Sequence, residues 1–275
     1  MANAPKVKVD FYMEALCPGC QYFSTHVLAP VLSEPGIGEL VDLNIVPAGN
    51  ADLKWNYVEG KMKLTCQHGK EECEGNRILA CLTQKHRNEK SFVKVVDCIE
   101  KGDSGFKVSE TVSSAINYMN NVTAHKPSHT RMGRLAEACM KEAGIKSEPI
   151  FACSDSRHGE ELAQESVNAT SSLVPKLEYA PWVVVNGVPL KEDAYSFKEH
   201  ICKAWRGVPP RECDKALLKD YFPRSQTLRV GASKGAATKE QSKMGQAREA
   251  GLKGHKQLLA AWQGGALFQK CLPDH

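Results

Sequence analysis

Residues 6–20, KVKVDFYMEALCPGC, contain the clearest structural signals in this chain. Its first half alternates apolar and polar residues, with Val7, Val9, Phe11 and Met13 on one face. This period of two predicts a β-strand, placed centrally in a sheet. Directly after it come two cysteines separated by two residues, Cys17-Pro18-Gly19-Cys20. We therefore expect a central strand that brings this pair to the start of a helix.

The residues after the pair predict a helix and a second strand. Phe23, Val27 and Val31 recur at spacings of four, which is typical of a helix with one buried face, and Pro30 predicts a kink near its end. A second alternating strand follows at residues 41–45. Strand, helix and strand in this order begin a parallel βαβ unit.

The remaining pattern predicts an α/β fold whose two halves are separated by an insertion. Residues 48–178 show helical spacing and few strand signals, so we predict a cysteine-rich helical insertion. The sheet resumes at residues 181–185, and Asn186-Gly187 predicts a tight hairpin to residues 188–190. Phe197, Ile201 and Trp205 then mark a closing helix. The insertion thus lies between a βαβ half and a C-terminal ββα half.

Charge divides the chain into a main domain and a tail. Of the 36 Lys+Arg and 32 Asp+Glu, residues 214–275 hold 11 and 5. We predict one domain over residues 5–213 and a basic, poorly ordered tail over 214–275. The main domain has no basic excess, so we expect no nucleic-acid partner. No apolar run approaches the roughly 18 residues that predict a membrane span.

Cysteine usage favours an oxidising compartment. The chain has 11 cysteines, more than a reducing cytosol usually tolerates outside metal sites. Two glycosylation patterns agree with this, at Asn121 and Asn168. The first residues carry no signal-peptide core, so we expect that a targeting segment has been removed from a protein of the secretory pathway.

The cysteine pair has the arrangement of an exchange-active dithiol. With Cys17 at the helix N-cap, Pro18 suits the first helical position, and the N–H groups of Gly19 and Cys20 are expected to point at the Cys17 sulfur. These donors and the helix dipole would lower the pKa of Cys17, which attacks a disulfide that Cys20 then resolves. Ala180-Pro181 precedes a strand and predicts a cis proline beside the sulfur, where an extended substrate chain can pair. A closed structural disulfide and half of a zinc site are the alternatives for the pair.

A second cysteine-rich stretch lies in the insertion: Cys66, Gln67, His68, Gly69, Glu72, Cys73, Asn76 and Cys81. Its three cysteines and its histidine could bind zinc, but their spacing is unusual for a zinc site, and we favour disulfides with no metal and no cofactor. Eight cysteines remain after Cys17, Cys20 and Cys271, and among their possible pairings we choose only Cys202 with Cys213. Cys271 is then left over, either free or linking two chains.

The spacing of this second stretch, CQHG-x2-EC-x2-N-x4-C, resembles the signature of the γ-interferon-inducible lysosomal thiol reductase family. The resemblance covers about residues 5–213. It implies a thioredoxin-like fold and a soluble glycoprotein that reduces protein disulfides, in animals within acidic endosomes and lysosomes, with Cys17 attacking and Cys20 resolving. We expect a lysosomal, vacuolar or extracellular location, disulfide-containing protein substrates, and a small-thiol or protein reductant that restores the dithiol. It gives the signature residues no catalytic role.

Two other functions are compatible with the same residues. A disulfide oxidase or isomerase of the secretory pathway shares all of them and differs only in redox potential. A non-catalytic binding module would use the cysteine pair as an inert staple.

Overall fold

The computed structural model describes residues 4–58, 60–87, 89–103, 130–214 and 271–273. A four-stranded sheet forms its centre, with the strands in the order β2 (Val41–Pro47), β1 (Val7–Met13), β5 (Trp182–Val185) and β6 (Val188–Pro189). Strand β1 (Val7–Met13) pairs in parallel with β2 (Val41–Pro47), with Phe11 opposite Ile45, and the apolar face of β1 is buried. The predicted βαβ unit is confirmed.

The second half of the sheet lies on the other side of β1. Strand β5 (Trp182–Val185) is antiparallel to β1, and β6 (Val188–Pro189) is antiparallel to β5. Asn186 and Gly187 have φ values of 47° and 83°, as the predicted tight turn requires. This strand order and direction, with a helix after β1 and another after β6, is the thioredoxin-like fold.

The helical segment after Cys17 runs without a break from residue 18 to 33. Helix α1 (Pro18–Phe23) passes through a π-helical turn (Ser24–Leu28) into α2 (Ala29–Ser33). Pro30 has no N–H to donate to the carbonyl four residues earlier. This missing hydrogen bond is consistent with the π-helical turn, in which each N–H bonds to the carbonyl five residues earlier. The buried Phe23 packs between Phe11 of β1 and Phe197 at the start of the closing helix α8 (Phe197–Ala204).

The insertion is less purely helical than predicted. Its described helices are α3 (Lys70–His86), α4 (Lys90–Asp103), α5 (Arg131–Glu142), α6 (Glu148–Ser154) and α7 (Arg157–Ser171). A hairpin of β3 (Asp52–Asn56) and β4 (Lys61–Thr65), absent from the sequence prediction, precedes them. The sequence pattern does not show this hairpin because its Trp55 and Met62 are exposed. Its Leu53 and Leu64 are only partly buried and pack against a small buried cluster that includes Val167.

Three disulfides connect residues within the insertion, and a fourth connects the last helix to the segment that follows it. The predicted Cys202–Cys213 bond is confirmed. The other pairs of the eight are Cys66–Cys73, Cys81–Cys153 and Cys98–Cys139. The signature cysteines therefore form disulfides, and their sulfurs are not free thiolate ligands for zinc. No helix among the described residues is long and apolar enough to span a membrane.

Candidate active site

Cys17 lies at the junction that the sequence predicted. It is the N-cap of α1, Pro18 occupies the first turn, and the Cys17 carbonyl accepts a hydrogen bond from the Gln21 N–H at 3.0 Å. The buried Cys20 lies within the first turn of the same helix. The end of β1 thus delivers both sulfurs to the core beneath the helix start.

The Cys17 sulfur is bonded to Cys271, not to Cys20. Cys17 and Cys271 form a disulfide with a Cα–Cα distance of 6.1 Å, and Cys20 is a free thiol. The expectation that Cys271 is free or links two chains is wrong in this structure, because the segment 271–273 lies beside Cys17. Among the described residues, no N–H donates to the Cys17 sulfur, in contrast to the expected capping by Gly19 and Cys20.

Residue 180 provides a backbone partner for an extended chain. The Ala180-Pro181 peptide bond is cis, and the Cys17 sulfur lies 3.8 Å from the Ala180 carbonyl oxygen. The Ala180 N–H donates to the Cys271 carbonyl at 3.0 Å, and the Cys271 N–H donates back at 3.2 Å. The strand-like pairing expected for a substrate is made here by the protein's own Cys271.

Residues of the family signature lie beside the Cys17–Cys271 disulfide. The sequence alone did not indicate that they are close to it. The Cys66–Cys73 disulfide closes the loop that carries Gln67 and His68, and Gly69 (φ 88°) is the N-cap residue of α3. The Gln67 side-chain amide donates to the Leu272 carbonyl at 2.7 Å. His68 Nε2 lies 3.9 Å from the Cys271 sulfur.

Asn76, deeper in the signature, supports the loop before Cys17. Its side-chain oxygen accepts a hydrogen bond from the Ala15 N–H at 3.0 Å, and both residues are fully buried. A side chain at Gly75 would have its Cβ 2.7 Å from the Ala15 Cβ, so α3 approaches this loop as closely as glycine allows. The signature therefore contacts both the loop before Cys17, through Asn76, and the segment 271–273, through Gln67 and His68.

Glu14, which no sequence motif indicated, lies beneath the two cysteines. Its side chain is fully buried, its N–H donates to the Cys20 sulfur at 3.5 Å, and its carboxylate accepts from the Asn50 N–H. Glu14 Oε2 is 3.6 Å from His68 Nδ1 and has no hydrogen-bond partner among the described residues. The signature Glu72 contacts the same His68 nitrogen. A glutamate directly after an apolar strand was the available signal.

Burial and crowding of negative charge set the acidity of this cluster. Burial, and then the neighbouring Glu72, raises the pKa of Glu14 from 4.5 to about 7, against the opposing effects of Asn50 and His68. Burial, and then Glu14, Glu100 and Glu72, raises the pKa of Cys20 well above its usual range. Cys20 therefore becomes a nucleophile more easily when Glu14 is neutral.

Two further expectations concern metal binding and glycosylation. Glu14, His68 and Cys271 place ligand atoms within 4.8 Å of one another. The Cys271 sulfur is shared with Cys17, so this set offers no free thiolate in this state. Asn168 is exposed on α7, whereas Asn121 lies outside the described residues.

Comparison with known proteins agrees with the geometry. The family model "Gamma interferon inducible lysosomal thiol reductase (GILT)" matches residues 8–118. The mouse gamma-interferon-inducible lysosomal thiol reductase is 31% identical over 205 residues, which are 74% of this chain and 70% of the mouse protein. The Arabidopsis thaliana gamma-interferon-responsive lysosomal thiol protein is 29% identical, covering 79% of this chain and 80% of its own.

Among solved structures, reduced DsbA from Mycobacterium tuberculosis matches with a TM-score of 0.46 and 17% identity, covering 80% of this chain and 91% of that one. The family is established by the mouse relative, together with the matching family model. The chain therefore belongs to the gamma-interferon-inducible lysosomal thiol reductase family and is a thiol-disulfide oxidoreductase with a thioredoxin-like fold.

Proposed function

We propose that this protein reduces disulfides of protein substrates through Cys17 and Cys20, in an acidic compartment. The observation that carries the proposal is the bond of Cys17 to a cysteine in an extended segment, with Cys20 left as a thiol behind it. This has the arrangement of a mixed disulfide between an enzyme and its substrate. Residues 5–213 form the catalytic domain in this proposal, with residues 48–178 as its insertion.

The cycle consists of two exchanges at the Cys17 sulfur. The Cys17 thiolate attacks a substrate disulfide, forms a mixed disulfide and releases one substrate sulfur as a thiolate. The Cys20 thiolate then attacks Cys17, the Cys17–substrate bond breaks, and the second substrate sulfur leaves. The substrate has gained two electrons, and the enzyme holds a Cys17–Cys20 disulfide. A small-thiol or protein reductant restores the dithiol.

Neutralisation of Glu14 at acid pH offsets part of the loss of Cys20 thiolate that a lower pH causes. The pKa of Glu14 is about 7, so this side chain is largely neutral at about pH 5. The charge of Glu14, which after burial is the largest cause of the raised pKa of Cys20, is then mostly absent, while burial still holds this pKa above its usual range. An acidic medium thus removes one of the charges that oppose formation of the resolving thiolate.

Location in a lysosome or vacuole is supported by the relatives and by the cysteines. The mouse and Arabidopsis relatives are both described as lysosomal. Five disulfides among the described residues require an oxidising environment for assembly. The exposed Asn168 is a candidate glycosylation site of a protein that passes through the secretory pathway.

Insulin reduction tests the proposal. The wild-type protein, Cys17→Ser and Cys20→Ser are compared at about pH 5 and pH 7.5 with a thiol reductant, and near-ultraviolet circular dichroism checks the folding of each variant. We expect insulin reduction by the wild type at both pH values, and loss of activity in Cys17→Ser to the level of the reductant alone. Full activity of a folded Cys17→Ser variant would refute the role of Cys17.

A further inference from the structure

The segment Cys271-Leu272-Pro273, called here the Cys271 segment, lies where the proposed cycle puts the substrate. We propose that Cys271 is a third redox-active cysteine. It competes with Cys20 for the disulfide bond to Cys17, and its bond to Cys17 closes the active site when no substrate is bound. This inference rests on the proposed function of Cys17 and Cys20. It also gives the signature residues Gln67 and His68 a role, which is to seat the closing segment.

The backbone of the Cys271 segment is held by an isolated antiparallel β-bridge to Ala180. Two hydrogen bonds of 3.0 and 3.2 Å join Cys271 to Ala180 in both directions. Main-chain pairing of this kind is how an extended peptide binds at an exposed strand edge. The disulfide to Cys17 is therefore accompanied by substrate-like docking of the residue that carries it.

Side chains from two separate loops complete the seat. The Asn50 amide donates to the Cys271 carbonyl at 2.9 Å and to the Gln67 side-chain oxygen at 3.3 Å. The Gln67 amide in turn donates to the Leu272 carbonyl at 2.7 Å. Asn50 and Gln67 donate to backbone carbonyls of the segment. They can therefore bind either the Cys271 segment or an extended substrate peptide that contains a cysteine.

The exchange needs no external oxidant or reductant. The Cys20 thiolate attacks the Cys17 sulfur, the Cys17–Cys271 bond breaks, and Cys271 leaves as a thiolate while Cys17–Cys20 forms. The proton lost by Cys20 is balanced by the proton that Cys271 takes up. His68 Nε2 lies 3.9 Å from the Cys271 sulfur and is positioned to donate that proton to it. On the other side of the ring, His68 Nδ1 faces the carboxylates of Glu14 and Glu72. The reverse exchange closes the site again.

Closure has two physical consequences. Cys17 is 0% and Cys271 is 6% exposed, so a bulky substrate cannot reach either sulfur in the closed state. A tethered partner also acts at an effective concentration of about 1 mM. A free cysteine peptide at about 10 µM is therefore present at roughly one hundredth of the effective concentration of Cys271, and we expect it to occupy Cys17 in that proportion.

Disulfide mapping tests the exchange in the oxidised, full-length protein. Free thiols are labelled with N-ethylmaleimide after acid quenching and denaturation, and the linked peptides are identified by mass spectrometry. We expect two species of the same chain, a major one with a Cys17–Cys271 cross-link and the label on Cys20, and a minor one with a Cys17–Cys20 cross-link and the label on Cys271. Absence of either species, or a Cys271 link between two chains, would overturn the proposal.

Gln67→Ala tests the seat without touching a cysteine. Loss of one hydrogen bond to Leu272 should shift the ratio of labelled Cys20 to labelled Cys271 by about fivefold toward Cys271. Gln164→Ala, on helix α7, is the matched control and should leave the ratio unchanged. An unchanged ratio in Gln67→Ala would show that the signature does not seat the segment.

Capture of a peptide tests closure. Cys20→Ser and Cys20→Ser/Cys271→Ser are both oxidised with glutathione disulfide, which leaves Cys17 bonded to Cys271 in the first variant and to glutathione in the second. Each is then offered about 10 µM of a reduced cysteine peptide, which displaces Cys271 or glutathione as a thiol. We expect roughly a hundredfold less peptide on Cys17 when Cys271 is present. Equal capture by both variants would overturn closure, whereas insulin reduction by the wild type would still support the proposed function. Loss of insulin reduction in wild type and Cys271→Ser alike would refute the proposed function instead.

Discussion

Replacing Glu14 by glutamine should stabilise the protein at neutral and alkaline pH but not at acid pH. Burial and the neighbouring Glu72 raise the pKa of Glu14 from 4.5 to about 7 in the folded protein. Between these two values the folded state binds a proton that the unfolded state has released. Stability is therefore highest below about pH 4.5 and falls as pH rises toward 7, as far as this group contributes.

The size of the effect follows from the two pKa values. The difference between 4.5 and about 7 corresponds to about 3 kcal/mol of unfolding free energy, at about 1.4 kcal/mol per pH unit. Glutamine cannot ionise, and its oxygen can still accept the hydrogen bond from the Asn50 N–H. We therefore expect Glu14→Gln to be about 3 kcal/mol more stable than the wild type at pH 8, and the gain to vanish near pH 4.5.

Urea unfolding with the disulfides intact, followed by tryptophan fluorescence at pH 4.5 and pH 8, measures this difference. Glu165→Gln, on the exposed side of α7, is the matched control and should change neither value. The same substitution of Glu14 should shift the alkylation midpoint of Cys20 to lower pH, since it removes a charge that raises the pKa of Cys20. Equal stabilities of Glu14→Gln and the wild type at pH 8 would refute the account of Glu14.

Two substitutions in the surrounding loops test how the site is supported. Gly49→Ala should lower the unfolding free energy by about 2 kcal/mol or more, because its Cβ would lie 2.2 Å from the Glu14 side chain. Gly60→Ala, also at positive φ but in open space, should lower it less when both are compared by urea unfolding. Asn76→Ala should cost about 1–3 kcal/mol by leaving the buried Ala15 N–H unpaired, and should slow alkylation of Cys17 in the reduced protein. An Asn76→Ala variant with wild-type stability would contradict this role of Asn76.

Local patterns were sufficient to predict the elements that carry the cysteine pair. The alternation in residues 7–13 predicted β1, Pro18 predicted the helix start at Cys17, and Asn186-Gly187 predicted the hairpin. Each of these signals depends on residues that are close in sequence. The spacing of the signature, which is also local, indicated the family.

What the sequence did not predict depends on contacts between distant residues. Cys17 and Cys271 are 254 positions apart, and nothing local to Cys271 distinguishes it from an unpaired cysteine. Gln67 and His68 reach the active site only because α3 packs against the loop before Cys17. The hairpin β3–β4 was missed because much of its apolar surface is exposed and gives no buried alternation.

Substrate trapping shows whether Cys17 is the residue that attacks a substrate disulfide. Reduced Cys20→Ser/Cys271→Ser is mixed with a disulfide-containing peptide, because removing both internal partners leaves a mixed disulfide unresolved. We expect an adduct with the mass of protein plus one peptide chain, linked at Cys17 and released by dithiothreitol. Absence of this adduct in a folded protein, or its formation on another cysteine, would contradict the assignment of Cys17 as the attacking residue.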